Sequence, residues 1–167
     1  MADTPAPQGT CELQVTLPNN LDIVMVRIFN APLPLVYGAL TQPDLIRHWF
    51  APEGWTFIQC DIDLKIGGEW RFVTQGPDGA PLGTRGHYTE LAPDRISFTK
   101  AFDNFPGETL VTTVLSDQAG KTRLTTTVHY RSQIIRDAVL QHGWTPFYIA
   151  AYDNLDTLLN LQNMVRS

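Results

Sequence analysis

His87 is the residue whose type and setting point most directly to chemistry. It lies between Gly86 and Tyr88, in a segment that alternates like a strand. Because alternate strand residues share a face, His87 is expected on the face of Thr89 and Leu91, and the apolar Leu91 predicts that this face points inward. An inward imidazole could act as acid, base or polar anchor for a ligand. A hydrogen-bonded structural histidine is the alternative.

An enzyme hypothesis follows from the same residue. His87, with Tyr130 or Asp153, could supply the general acid and base of a cyclase or hydrolase. The sequence has no G-x-S-x-G motif and no nucleophile beside an evident base. His87 is therefore the one candidate catalytic residue, and we expect binding rather than catalysis.

The histidines and cysteines do not predict a metal site. His48, His129 and His142 have no acidic residue or cysteine at ligand spacing, and neither H-x-x-x-H nor C-x-x-C occurs. Cys11 and Cys60 are too few for a disulfide framework and are expected to be free thiols. We expect no metal and no cofactor.

Charged residues cluster around one predicted strand. Glu69, Arg71 and Arg85 are expected to pair across neighbouring strands on the face opposite Trp70. Such pairs are usually solvated surface features. The Gly67-Gly68 pair lacks the lysine of a phosphate loop and indicates a turn or bulge.

Aromatic residues supply the main candidate binding surface. Strand alternation predicts that Trp70 and Phe72, Ile96 and Phe98, and the residues from Leu124 to Tyr130 at every second position point inward. Aromatic faces bind flat apolar ligands, although they also fill ordinary cores. The predicted cavity residues are Trp49, Trp55, Trp70, Phe72, His87, Phe98, Tyr130, Phe147 and Ala151.

Composition limits the class of protein. The chain of 167 residues fits one domain, with a flexible leader over residues 1–20 and the domain over 21–167. A net charge of -5 argues against nucleic-acid binding. The first residues lack a secretory signal and no apolar window is long enough to span a membrane, so we expect a cytoplasmic protein with no membrane partner.

The order of elements predicts an α+β fold. A strand over about 21–30 precedes two short helices, six further strands end near residue 131, and a helix of about 146–164 closes the chain. One long helix must cover one face of a seven-stranded antiparallel sheet, so the sheet is expected to curl around it. Too few bulky side chains lie beneath the helix to fill that hollow, which predicts a cavity there.

Several stretches carry a family resemblance. They are RIFNAP (27–32), DLIRHWFAPEGW (44–55), DIDLKIGGEWRF (61–72), PDG (77–79), GHYTELAPDRISFT (86–99), AFDNFPGETLVTTVL (101–115), GKTRLTTTVHYRS (120–132), RDAVLQHGW (136–144) and YDNLDTLL (152–159). Across residues 21–160 the chain resembles bacterial homologues of the heat-shock protein 90 ATPase activator, in the START-like (SRPBCC) superfamily. The resemblance implies the helix-grip fold.

The resemblance leaves function open, because this superfamily includes lipid carriers, cyclases, resistance proteins and hormone receptors. The first hypothesis is a protein that binds a small apolar or aromatic molecule between the last helix and the sheet. The second is the enzyme using His87. The third is an interaction protein with a chaperone partner. The eukaryotic activator has a large extra domain where this sequence has a short leader, which argues against the same two-part grip. A homodimer is compatible with the sequence but no specific residue predicts it.

Overall fold

The computed structural model describes residues 12–51, 53–105 and 107–166. Within these residues the chain forms one antiparallel sheet of eight strands in the order β1-β2-β8-β7-β6-β5-β4-β3. The strands are β1 (Gln14–Thr16), β2 (Asp22–Phe29), β3 (Thr56–Ile62), β4 (Glu69–Gln75), β5 (Pro81–Ala92), β6 (Arg95–Phe102), β7 (Thr109–Gln118) and β8 (Lys121–His129). The predicted α+β class, with an antiparallel sheet and a long C-terminal helix, is confirmed.

The predicted count of seven strands is one too low. β1 lies inside the segment assigned to the leader and pairs with β2, with Gln14 opposite Val26. A strand of three residues is too short to produce a periodic pattern, and it forms because the edge of β2 offers unpaired backbone groups. The tip of the predicted leader, residues 1–11, lies outside the described residues.

The described helices are α1 (Leu33–Thr41), α2 (Pro43–Ile46), α3 (Gln133–Gln141) and α4 (Trp144–Arg166). Each of the first two has proline in its first turn. α3 was not predicted from the sequence. Its start is set by Ser132, whose hydroxyl accepts a hydrogen bond of 3.2 Å from the backbone N–H of Ile135.

The core lies where α4 crosses the inner face of the sheet. Leu155 and Leu159 of α4 are fully buried against Met25 and Phe29 of β2. Burial of this apolar stripe holds the helix in the curve of the sheet. An ion pair adds a polar contact, since Arg27 of β2 lies 2.8 Å from a carboxylate oxygen of Asp153.

A register shift in β5 decides which of its side chains face the core. Between Tyr88 and Glu90 the pairing with β6 is irregular, so side chains after the shift exchange faces. Tyr88 is buried and Leu91 packs against the same inner cluster, although they are separated by an odd number of residues. His87 is exposed. The predicted inward direction of His87 is therefore wrong, because it assumed unbroken alternation up to Leu91.

A close approach between strands fixes one aromatic wall. Gly86 of β5 lies opposite Trp70 of β4, and a Cβ at Gly86 would stand 1.7 Å from the carbonyl oxygen of Thr99. Only glycine fits there. The same carbonyl accepts a hydrogen bond of 3.2 Å from the Trp70 indole. Trp70 is held with its ring on the inner face.

Candidate functional site

A cavity lies between the inner face of the sheet, α4 and the segment that follows α1. Its volume is about 90 Å³. Its wall is mostly apolar and aromatic: Met25, Leu40, Ile46, Trp49, Phe50, Trp70, Phe72, Tyr88, Ile96, Phe98, Val111, Thr113, Thr126, Val128, Tyr148 and Tyr152. This volume is below the 150 Å³ of an engineered cavity that binds benzene. The cavity can therefore take a molecule with one aromatic ring only if lining side chains move.

Aromatic contacts shape the side of the cavity nearest α4. The ring of Phe50 lies 5.5 Å from that of Trp49, 5.8 Å from that of Phe72 and 6.1 Å from that of Tyr148. Trp49 is fixed by its indole N–H, which donates a hydrogen bond of 2.8 Å to the carbonyl oxygen of Ala39. Phe50 has no polar atom to anchor it, so its ring is held by packing alone.

Side chains that carry hydroxyl groups supply the polar part of the wall. Thr113 of β7 and Thr126 of β8 share a buried hydrogen bond of 2.8 Å between their hydroxyl oxygens. Tyr152 of α4 also lines the cavity, and its burial raises the pKa of its hydroxyl. These groups stay neutral at physiological pH and can orient a ligand by hydrogen bonds.

A lysine lies directly beside the cavity. Lys100 of β6 donates a hydrogen bond of 3.1 Å to the hydroxyl oxygen of Tyr148. Its ammonium nitrogen is 5.8 Å from the ring centre of Phe50 and 5.7 Å from that of Tyr148, and both rings line the cavity. Burial lowers the pKa of Lys100 to about 8. An amine of this kind can bind an anion when it is protonated.

Sequence comparison identifies the family of the chain. The family model described as Activator of Hsp90 ATPase homolog 1-like protein matches residues 30–160. The chain belongs to this family. No curated protein matches the chain in sequence.

Solved structures agree with the family assignment. A protein from Rhodobacter sphaeroides is 31% identical, with a TM-score of 0.85 over 90% of this chain and 99% of that one. A protein from Nitrosomonas europaea is 25% identical, with a TM-score of 0.79 over 87% and 98% of the two chains. A Silicibacter pomeroyi protein that carries the family name is 21% identical, with a TM-score of 0.70 over 84% and 99%, and shows the fold alone.

The predicted cavity residues of this family member separate into two groups. Trp49, Trp70, Phe72 and Phe98 line the cavity. The other predicted residues do not line it. The rings of Trp55 and Phe147 pack against each other. Tyr130 belongs to a cluster with Ile23, Val111 and Val128, and Ala151 is buried in the main core. His87 lies on the outer face, where its Nδ1 is 3.2 Å from the Thr99 hydroxyl oxygen.

The acid and base pair suggested for an enzyme is not assembled. His87 is exposed on the outer face of the sheet, whereas Tyr130 is buried. Asp153 forms an ion pair with Arg27. These three groups do not meet at one site, so the geometry gives no support to a reaction that uses them together.

The charged residues of the outer face pair as a three-residue cluster. Arg71 and Arg85 each lie 2.6 Å from a carboxylate oxygen of Asp103. The hydrogen bond from Arg71 lowers the pKa of Asp103 to about 2. Pairing on the face opposite Trp70 was predicted, but the acid is Asp103 rather than Glu69.

Cys60 is a buried free thiol whose pKa burial raises to about 11, and Cys11 lies outside the described residues. Of the helices in the described ranges, none is sufficiently long and apolar to cross a membrane.

Sequence reasoning missed several residues at this site. Phe50, Tyr88 and Tyr152 line the cavity, and Lys100 adjoins it. A usable signal for Lys100 was present, since β6 has unbroken alternation and Lys100 is two residues beyond Phe98. The inward face assigned to Phe98 extends directly to Lys100.

Proposed function

We propose that this protein binds a small apolar or aromatic molecule in the cavity between α4 and the inner face of the sheet. The observation that carries the proposal is the wall itself, in which aromatic and aliphatic side chains surround a few neutral hydroxyl groups. Burial of a ligand's apolar surface would stabilise the complex by about 25 cal/mol per Å².

The volume restricts the size of the proposed ligand. A cavity of about 90 Å³ is far below the roughly 300–1,000 Å³ of pockets for drug-sized molecules. A long lipid chain would require repacking of the core, whereas one aromatic ring requires only a modest shift of a few lining side chains, such as Phe50 and Tyr148. We therefore propose a molecule with a single ring.

The hypotheses of a homodimer, a chaperone partner and a cytoplasmic location stay predictions. The family name refers to activation of a chaperone, but no described residue identifies a chaperone contact. The cavity is a property of the described side chains, and for that reason it carries the proposal.

A melting experiment with a cavity-filling variant tests the proposal. Toluene at about ten times its dissociation constant should stabilise the folded protein by about 1.4 kcal/mol through mass action, which corresponds to about 3–5 °C in melting temperature. Val111→Leu adds a methylene group to the cavity wall and should weaken toluene binding at least tenfold.

Val165→Leu is the matched control, because Val165 is 85% exposed and does not line the cavity. It should bind toluene like the unaltered protein. The proposal fails if no one-ring compound shifts the melting temperature, or if both variants lose the same affinity.

A further inference from the structure

Lys100 is a cation on the inner face of the sheet, enclosed by aromatic rings. Its neighbours at every second position of β6, Phe98 and Phe102, are also partly buried. The ammonium nitrogen lies 5.2 Å from the ring centre of Phe102, in addition to its contacts with Phe50 and Tyr148. Aromatic faces attract a cation but do not accept strong hydrogen bonds.

The charge of Lys100 has no acidic partner among the described residues. A lysine ammonium has three N–H donors, and the hydroxyl of Tyr148 accepts one of them. Among the described residues, no carboxylate oxygen lies within 4.0 Å of the Lys100 ammonium nitrogen. A desolvated ammonium without a counter-ion is unfavourable, as its lowered pKa also indicates. Such a group gains most from an anionic ligand.

Only the aromatic rings of Phe50 and Tyr148 separate the Lys100 ammonium from the cavity. The rings of Phe50 and Tyr148 both line the cavity and lie next to the Lys100 ammonium. A shift of these two side chains is one way to admit a one-ring ligand. One rearrangement would therefore enlarge the cavity and bring Lys100 into contact with the ligand.

We propose that Lys100 and the Tyr148 hydroxyl form an anion-binding subsite that receives the carboxylate of a small aromatic acid whose ring occupies the cavity. This inference rests on the proposed function and names the class of ligand. The ammonium would pair with one carboxylate oxygen, and the Tyr148 hydroxyl would donate to the other. The outer-face arginines do not compete for this role, since Asp103 already pairs with Arg71 and Arg85.

Binding of two matched probes tests the subsite. Toluene and benzoate differ by a methyl group and a carboxylate, and the fluorescence of Trp49 and Trp70 in the cavity wall provides a signal. We expect benzoate to bind the unaltered protein at least about tenfold more tightly than toluene, in line with a charge-assisted hydrogen bond.

Three variants separate charge from packing. Lys100→Met keeps the length of the side chain and should abolish the preference for benzoate while toluene still binds. Tyr148→Phe keeps the ring and should weaken benzoate about tenfold. Lys65→Met removes an exposed lysine of the outer surface, with a side chain 70% exposed, and should change neither probe. If Lys100→Met does not fold, Lys100→Gln provides the same comparison.

The pH dependence gives a second readout. Benzoate is ionised throughout the range from pH 6.5 to 9.5, and Tyr148, the titratable group that faces Lys100 from α4, has a pKa raised by burial. Phe50 and Phe102 complete the surroundings, and His87 faces outward. Benzoate affinity should fall about tenfold as Lys100 loses its proton, whereas toluene affinity should not change.

The outcomes distinguish the two proposals. Toluene binding without a benzoate preference overturns the subsite and leaves the cavity function standing. A benzoate preference that persists in Lys100→Met, or in Lys100→Gln where Lys100→Met does not fold, does the same. Failure of both probes to bind overturns both proposals.

Discussion

Lys100 illustrates how one residue can oppose stability. Its pKa is about 8 in the folded protein and 10.5 in the ordinary reference state. The unfolded chain therefore holds this proton to higher pH than the folded chain does. At and below about pH 7 both states are protonated and the folded state carries the full penalty of a buried charge, which disappears as the pH rises from about 8 towards 10.

Lys100→Met should consequently stabilise the protein at neutral pH. We expect the free energy of unfolding to rise by about 2 kcal/mol at pH 7, since one pKa unit corresponds to about 1.4 kcal/mol and partial solvent contact reduces the effect. The gap between variant and unaltered protein should close towards pH 10. Urea unfolding at pH 7 and pH 9.5 measures it. A variant that is less stable at pH 7 would show that Lys100 serves packing rather than ligand binding.

Single residues also show where sequence reasoning succeeds and where it stops. Alternation placed Trp70, Phe72 and Phe98 correctly, because β4 and β6 are regular around them. It misplaced His87, because the register shift in β5 leaves no mark in the residues around it. A bulge depends on pairing with the neighbouring strand, and one sequence does not reveal that pairing.

At the scale of elements, an ion pair between a buried arginine and an exposed aspartate links β2 to α4. The Arg27 side chain is 2% exposed and contacts Asp153 at 2.8 Å and Asp156 at 3.9 Å. It also lies 5.3 Å from the ring centre of Phe29. Arg27 therefore fixes the position of α4 along β2.

Removal of Arg27 should cost far more than removal of its exposed partner. Arg27→Ala leaves Asp156 without its cation in a largely buried position and should lower the free energy of unfolding by about 3 kcal/mol. Asp153→Asn affects a side chain that is 63% exposed and should cost less than about 1 kcal/mol. Chemical denaturation of both variants provides the comparison, and equal losses would contradict this account of the pair.

The elements themselves were largely predictable. The first predicted strand, over about 21–30, agrees with β2 to within one residue at each end, and the helix predicted over about 146–164 agrees with α4 to within two. β1 and α3 were missed for different reasons. β1 has too few residues to show a period, whereas α3 has a clear helical period of apolar residues that the prediction did not use.

At the scale of the whole molecule, the fold determines that a cavity can exist but not how large it is. A sheet curled around one helix leaves a hollow, and the sequence order predicted this arrangement. The size of the cavity depends on how three rings pack inside this hollow. The ring centre of Trp49 lies 5.5 Å from that of Phe50 and 5.7 Å from that of Tyr152. Rotamers and ring contacts of this kind are set by tertiary packing, which strand and helix periods do not encode.

Diffraction from crystals soaked in bromobenzene is the measurement that tests the central claim most directly. We predict an anomalous bromine peak inside the cavity, bounded by Met25, Trp70 and Val128, with the ring of Phe50 displaced. A bromine peak confined to the outer face of the sheet, or an unchanged cavity at saturating bromobenzene, would contradict the account.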